Sequence, residues 1–363
     1  MSYIENKKLE HKNEMEELFK NSKVLTTEEI QTLFRLEQPM PLSAPLVIRK
    51  TPHPLAPKII EDYYFPPTLL RQLLSNFWDK LPLMLVGEKG TGKTTLIEQI
   101  HARLGMPLIS INGGPDVDED MLFGRPSLKD GNVVDLDGQL SYGFRHGIPV
   151  CINELSLIPD GVQSALNAVL EKGDRIVLNH RGLDPTMSPE MLASDCGNVI
   201  VRHPSFRIYS TDNTGGKLSF DGRYSSAGII NSASRSRWLT LNVGFTPAAT
   251  ERAILESTVN NHWVNLANDS EAIKPLLAGV RSNLPHIQEF CDYVRKGFSE
   301  GKVSDNVSLR EMQNWVIRYL SLQDLDLSFK ETVLNGAQEE DLVFMYDAFE
   351  HTFNRQVIME TAA

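Results

Sequence analysis

The chain has 363 residues, 41% of them hydrophobic, and a formal charge of −11. That is enough apolar material for a real core and, by length, for two domains; the acidic balance argues against broad contact with nucleic acid or an anionic membrane surface. Cys151, Cys196 and Cys291 are far apart with no CxxC spacing, so neither a disulfide framework nor a zinc site is suggested. No apolar run approaches the roughly 18 residues of a membrane span, and Met1 to Lys23 is polar and charged without a signal-peptide core. A soluble cytoplasmic protein is expected.

Residues 1 to about 38 read as short charged helices forming an appendage, one starting at Thr26 as N-cap with Glu29 as its capping-box partner. Six prolines between Pro39 and Pro57 disfavour helix and central strand and predict an extended connector or a chain draped over a surface. The first domain boundary is expected near residue 58. Strand-like runs follow at Leu81–Val86, Pro107–Ile111, Ile148–Ile152, Phe206–Ser210 and Trp238–Val243, with helical periodicity between them, as in Val162 to Leu170. This alternation predicts an α/β domain over 58–245, its five-stranded sheet mostly parallel and covered by helices on both faces. From Thr246, read as an N-cap before Pro247, the pattern turns helical through Ala248–Val259, Ile273–Val280, Pro285–Lys296, Leu309–Leu320 and Glu340–Phe353. A second, α-helical domain over 246–363 is expected. The stretches Arg181 to Asn198 and Gly215 to Gly228 are long for loops in a compact domain, which marks them as candidate functional loops.

Within this frame Gly87-Glu88-Lys89-Gly90-Thr91-Gly92-Lys93-Thr94 spells a P-loop. It follows the apolar run ending at Val86 and opens the amphipathic stretch Thr95 to Leu104, which Gly105 and Pro107 terminate. Glycines let backbone N–H groups face a phosphate at a helix N-terminus whose dipole favours an anion. Lys93 would reach the β- and γ-phosphates of ATP, and the Thr94 hydroxyl would ligate Mg²⁺. About sixty residues on, Val150-Cys151-Ile152-Asn153-Glu154 has the form of a Walker B segment. Glu154 sits where a carboxylate would orient and deprotonate the attacking water; the bland alternative is an acidic residue at the start of the helix after Pro159. Asn153 stands where Asp is usual. An amide can hold a Mg²⁺-bound water but adds no negative charge, so weaker magnesium binding is expected. Asn213, after the strand at Phe206–Ser210, would position the water or touch the γ-phosphate; alone, it reads as a turn residue. Arg235 and Arg237 precede the last strand and Arg310 opens a helix after Ser308.

The order of these parts resembles the AAA+ ATPases of the MoxR-like clade. Asp62-Tyr63-Tyr64-Phe65, Gly90 to Thr94 with Ile97-Glu98-Gln99, His203-Pro204-Ser205-Phe206-Arg207, Asn213-Thr214 and Ser236-Arg237-Trp238 narrow the resemblance to the small AAA+ subunits of aerobic cobaltochelatase, over residues 58 to 355. The resemblance implies that Asn213 is sensor 1, Arg310 is sensor 2 of a helical lid domain, and Arg237, with Arg235 as second choice, is an arginine finger offered to a neighbouring subunit. Hydrolysis would then need a homo-oligomer, most simply a hexameric ring, where such an arginine is worth on the order of 10³ to 10⁵ in rate. Phe123 to Gly143, with Asp130-Gly131 and Asp137-Gly138 as hairpin-turn signals, resembles the clade's pore-facing β-hairpin insertion. Its acidic Asp135 and Asp137 do not suggest a DNA-gripping loop. Three functions compete: a motor remodelling a partner protein, for instance one with a von Willebrand A-type domain; a nucleotide-dependent assembly scaffold with little turnover, because of Asn153; and a nucleic-acid motor, which the acidic charge disfavours. A small-molecule P-loop kinase fits least.

Overall fold

The computed structural model describes residue 16 and residues 20–171, 173–178, 185–186, 188–192, 199–216, 228–264 and 273–357. The predicted loops at 181–198 and 215–228 lie mostly outside them, as does Cys196. The chain divides into two compact units, Met1–Gly87 with Gly92–Val243, and Gly244–Ala363 with the loop tip Glu88–Thr91.

In the first unit the strands are, in chain order, β1 Ser22–Leu25, β2 Leu46–Arg49, β3 Leu83–Val86, β4 Ile109–Asn112, β5 Gly124–Lys129, β6 Asn132–Asp137, β7 Val150–Asn153, β8 Arg175–Val177, β9 Val199–Val201, β10 Ile208–Asp212 and β11 Leu239–Asn242. Five form one sheet in the order β11-β3-β10-β7-β4, every pair parallel. These are the five predicted strands, each starting a residue or two later than expected. Leu83, Met84 and Leu85 of β3 and Val150, Cys151 and Ile152 of β7 are all fully buried, the continuous apolar run required of strands covered on both faces. The sequence strand order is therefore interrupted: β10 sits between β3 and β7. That interleaving sets the C-terminal ends of the phosphate-loop strand, the Walker B strand and the Asn213 strand side by side, where ligands of open α/β sheets bind.

The predicted appendage is instead built into this unit from β1 onward. β1 pairs antiparallel with β2, and Ile30, Phe34, Met40 and Leu46 share a core with Leu70, Leu85 and Ile97. Prolines kept the segment out of the main sheet but not off its surface. The Thr26–Glu29 capping box forms, with Glu29 N donating to Thr26 Oγ1 (3.2 Å) and Thr26 N to Glu29 Oε2 (3.0 Å).

The predicted hairpin is β5–β6, turned by Asp130 (φ +52°) and Gly131 (φ +79°), the two successive positive φ values of a type I′ turn. Asp137-Gly138 is not a second turn. Gly138 is the N-cap of helix Gln139–His146, and Asp137 Oδ2 accepts from Arg145 Nε (2.8 Å) on that helix.

The second unit is helical: Ala248–Val264, Ile273–Ser299, Leu309–Leu322, Leu325–Thr332 and Leu342–Phe353. The two helices predicted at 273–280 and 285–296 are one, with Pro285 inside it. A proline there costs roughly 3 kcal/mol, but Val280, Leu284, Ile287, Cys291 and Val294 form one unbroken buried stripe across it, and that burial outweighs the lost hydrogen bond. The core centres on Trp315, whose ring lies 4.9 Å from Phe329 and 5.5 Å from Phe290, and whose Nε1 donates to Ser328 Oγ (3.2 Å). Among the described residues no helix is long and apolar enough to cross a membrane.

Candidate nucleotide site

After β3 the loop passes through left-handed backbone at Gly90 (φ +77°) and Gly92 (φ +80°), a conformation glycine adopts without a Cβ penalty. Gly92 is the N-cap of helix Lys93–Leu104, so the first free N–H groups of that helix belong to the motif itself. Lys93 is buried; its Nζ donates to Gly87 O (2.7 Å) and to Asn213 Oδ1 (2.8 Å). Thr94 Oγ1 donates to Asn153 Oδ1 (2.9 Å), and Asn153 Nδ2 donates to Asn112 Oδ1 (3.1 Å). Four residues predicted from sequence, Lys93, Thr94, Asn153 and Asn213, thus meet as two hydrogen-bonded pairs across 120 and 59 residues of chain. The Thr94–Asn153 pair fits magnesium: the donors are a hydroxyl and an amide oxygen, the hard oxygen chemistry Mg²⁺ selects while keeping most of its waters. In the second unit, Lys89 pairs with Asp305 (3.6 Å) and Glu311 (3.8 Å).

Glu154 ends the Walker B segment in left-handed backbone (φ +52°) with an exposed side chain. For a non-glycine residue this conformation costs about 1–3 kcal/mol and concentrates at functional sites. It is held from two sides. Glu154 N donates to Thr211 Oγ1 (3.3 Å), and Gly113 approaches so closely that a Cβ there would lie 2.5 Å from the carbonyl oxygens of Asn153 and Glu154.

Sequence reasoning missed Asn112 and Gly113 and the roles of Thr211 and Asp212. Asn112-Gly113 directly follows a predicted strand that becomes β7's neighbour, so its position was readable only with the strand order. Asp212 is fully buried. Its Oδ1 accepts from Thr214 N (2.8 Å), Thr214 Oγ1 (2.9 Å) and Gly216 N (3.3 Å), and its Oδ2 from Ser156 N (2.9 Å). With both oxygens so engaged, Asp212 ties the Asn213 loop to the residues after Glu154 and is a positioning residue. Tyr63, named by the resemblance, is largely buried; burial raises its phenol pKa well above the usual value, with a smaller contribution from Glu98, and its hydroxyl approaches Gly92.

Arg235 and Arg237 diverge. Arg235 Nη1 donates to Gly216 O (3.3 Å) in the loop after β10. Arg237 Nη1 donates to Ala233 O (2.6 Å) and Nη2 pairs with Glu171 Oε1 (2.8 Å), both side chains partly exposed. Arg310, in the second unit, is exposed in the first turn of helix Leu309–Leu322, which is capped reciprocally by Ser308 and Glu311.

A glycine-rich loop after β3, with β7 and β10 interleaved beside it in this order, is the arrangement of an α/β AAA+ fold. Residues 82–224 match the AAA domain of the dynein-related subfamily. The chain is 26% identical over 302 residues to aerobic cobaltochelatase subunit CobS of Sinorhizobium sp., covering 82% of each. It is also 26% identical over 174 residues to midasin of Giardia intestinalis, spanning 47% of this chain but 3% of that much longer protein. A crystal structure of NtrX from Brucella abortus aligns with a TM-score of 0.46 at 18% identity, covering 80% of this chain and 60% of that one. Residues 82–224 thus carry an AAA-type domain, and the chain as a whole is similar to the AAA+ subunit of cobaltochelatase.

Proposed function

We propose that this protein hydrolyses ATP in a homo-oligomeric ring, most simply a hexamer in the cytoplasm, and uses the cycle to remodel a protein partner. The observation that carries this reading is the Lys93–Asn213 pair at 2.8 Å, which joins the phosphate loop to sensor 1. In the proposed cycle the backbone of Gly87 to Thr95 and the Lys93 ammonium hold the β- and γ-phosphates. Thr94 and Asn153 would hold Mg²⁺, which when bound neutralises phosphate charge. Asn213 orients a water in line with the γ-phosphorus and Glu154 accepts its proton as the new P–O bond forms and ADP leaves. Arg237 of a neighbouring subunit, with Arg310 of the helical lid, would stabilise the charge that develops. The exposed Leu128 and Leu136 of the β5–β6 hairpin give a partner protein an apolar handhold. A von Willebrand A-type partner, and a part in metal insertion, follow from the relationship to the cobaltochelatase subunit alone.

One observation favours a second reading. Asn153 is neutral and its amide is engaged on both ends, by Thr94 and Asn112; weak magnesium binding would make ATP an assembly signal with little turnover. Phosphate release by the purified protein separates the two. The motor reading expects steady magnesium-dependent release that Glu154→Gln abolishes. Release at the level of Glu154→Gln, with ATP still driving assembly, would establish the scaffold.

A further inference from the structure

A cleft of about 270 Å³ opens within the first unit at the N-terminal ends of the sheet strands, away from the strand ends that carry the phosphate loop. Its walls come from β2, the end of helix Pro67–Asp79 and the segments entering β4, β7 and β10, with Leu46, Phe77, Met106 and Ile148 supplying apolar surface. Arg49, Lys80 and Arg207 also line it, and no Asp or Glu does among the described residues. Three cations without a carboxylate stand out in a chain of net charge −11.

The arrangement at Arg207 and Lys80 is costly unless something negative completes it. The Arg207 guanidinium lies over the Phe77 ring (4.9 Å) and donates to Phe77 O (2.5 Å) and Ser205 O (2.7 Å), while its Nε is buried with no partner among the described residues. Burial of an arginine is normally matched by a carboxylate, and none of the described acids pairs with it. Lys80 takes left-handed backbone (φ +51°) at the helix C-cap, where glycine is usual. A lysine near a helix C-terminus is ordinary; one that accepts strained backbone, with a second partly buried cation lining the same cleft, is not. Burial, then Arg207 and Arg202, lower its pKa.

We propose that this cleft binds a small amphipathic anion, one carboxylate or phosphate joined to an apolar ring or chain. The anion meets Lys80 and Arg207, and the apolar body lies against Phe77, Met106 and Ile148. Small-molecule sites share this make-up, apolar walls with a few convergent polar groups, and the volume accommodates a molecule of about one ring rather than a length of chain.

Phenyl phosphate and phenylacetate are the probes, titrated calorimetrically into the full chain with benzyl alcohol and inorganic phosphate as controls. Both anions are expected to bind with Kd of about 1 mM or tighter, as suits ligands of this size. Lys80→Gly is the informative variant, since it removes a cation while relieving the backbone strain. It should weaken both probes about tenfold, the loss of one charge-assisted contact, with melting temperature no lower and ATP affinity unchanged. Benzyl alcohol or inorganic phosphate binding as tightly as the probes, or undiminished probe binding by Lys80→Gly, would overturn the proposal. So would binding of an acidic, phenylalanine-containing peptide where neither small anion binds.

Discussion

Lys93 Nζ and Asn213 Oδ1 are 2.8 Å apart although 120 residues separate them in sequence. The pairing exists because β10 is inserted next to β3, with Asp212 in register with Val86, so the residue after each strand emerges at the same edge. A buried ammonium at a helix N-terminus, steadied by a neutral amide, is poised to exchange that partner for a phosphate.

Lys93→Ala is therefore expected to abolish detectable ATP binding by calorimetry, while Asn213→Ala keeps binding and loses turnover. ATP binding by Lys93→Ala as tight as by the parent would remove the P-loop from the account.

Asp212 gives a separable prediction about positioning. Asp212→Asn preserves size but turns one acceptor oxygen into a donor facing N–H or O–H groups. Leaving such buried groups mismatched costs about 1–3 kcal/mol, which urea denaturation would read as a lower midpoint with unchanged slope. Phosphate release should fall with ATP affinity nearly intact. A variant as stable and active as the parent would show that Asp212 does not position the Asn213 loop.

His101 links stability to pH. Burial, reinforced by Arg207, lowers its pKa from 6.5 to about 3, against a weaker opposing hydrogen bond with Pro107 O. Between those values the unfolded chain binds the proton and the native chain does not, so this group's contribution is complete above 6.5 and is lost as pH falls toward 3. The slope is about 1.4 kcal/mol per pH unit. Stability measured by urea denaturation should therefore drop between pH 7 and pH 5, and His101→Gln should reduce that drop by about 2 kcal/mol. An identical drop in the variant would show that other groups carry it.

The P-loop and all five sheet strands were legible in the sequence, because parallel buried strands are uniformly apolar and because the loop chemistry demands fixed residues at fixed spacing. Strand order was not, since it depends on long-range pairing. Without it, Thr211, Asn112 and Gly113 could not be connected to Glu154, nor Asp212 to Ser156. Local signals also misled where packing overrode them: Pro285 read as a break in a helix whose buried stripe runs straight through, and Asp137-Gly138 read as a turn where Gly138 caps a helix and Asp137 pairs with Arg145. The prolines of 39–57 left a connector and a chain draped over the surface equally open, because a chain lying along a surface has no periodicity to announce it; the packing of Met40 and Leu46 selects the second.

The most direct test of the central claim, that hydrolysis is completed between subunits, is a mixing experiment on Arg237. Its pairing with Glu171 is partly exposed, and such pairs contribute roughly 0–1 kcal/mol, so Arg237→Ala should leave folding and ATP affinity intact while removing most phosphate release. Mixed with Glu154→Gln subunits, it should form some interfaces that combine an intact Glu154 with an intact Arg237, and phosphate release should rise above that of either variant alone. No recovery, while light scattering shows the two variants co-assembling, would contradict a site completed by a neighbour's Arg237 and leave Arg235, bonded to Gly216 of its own chain, as the next arginine to vary.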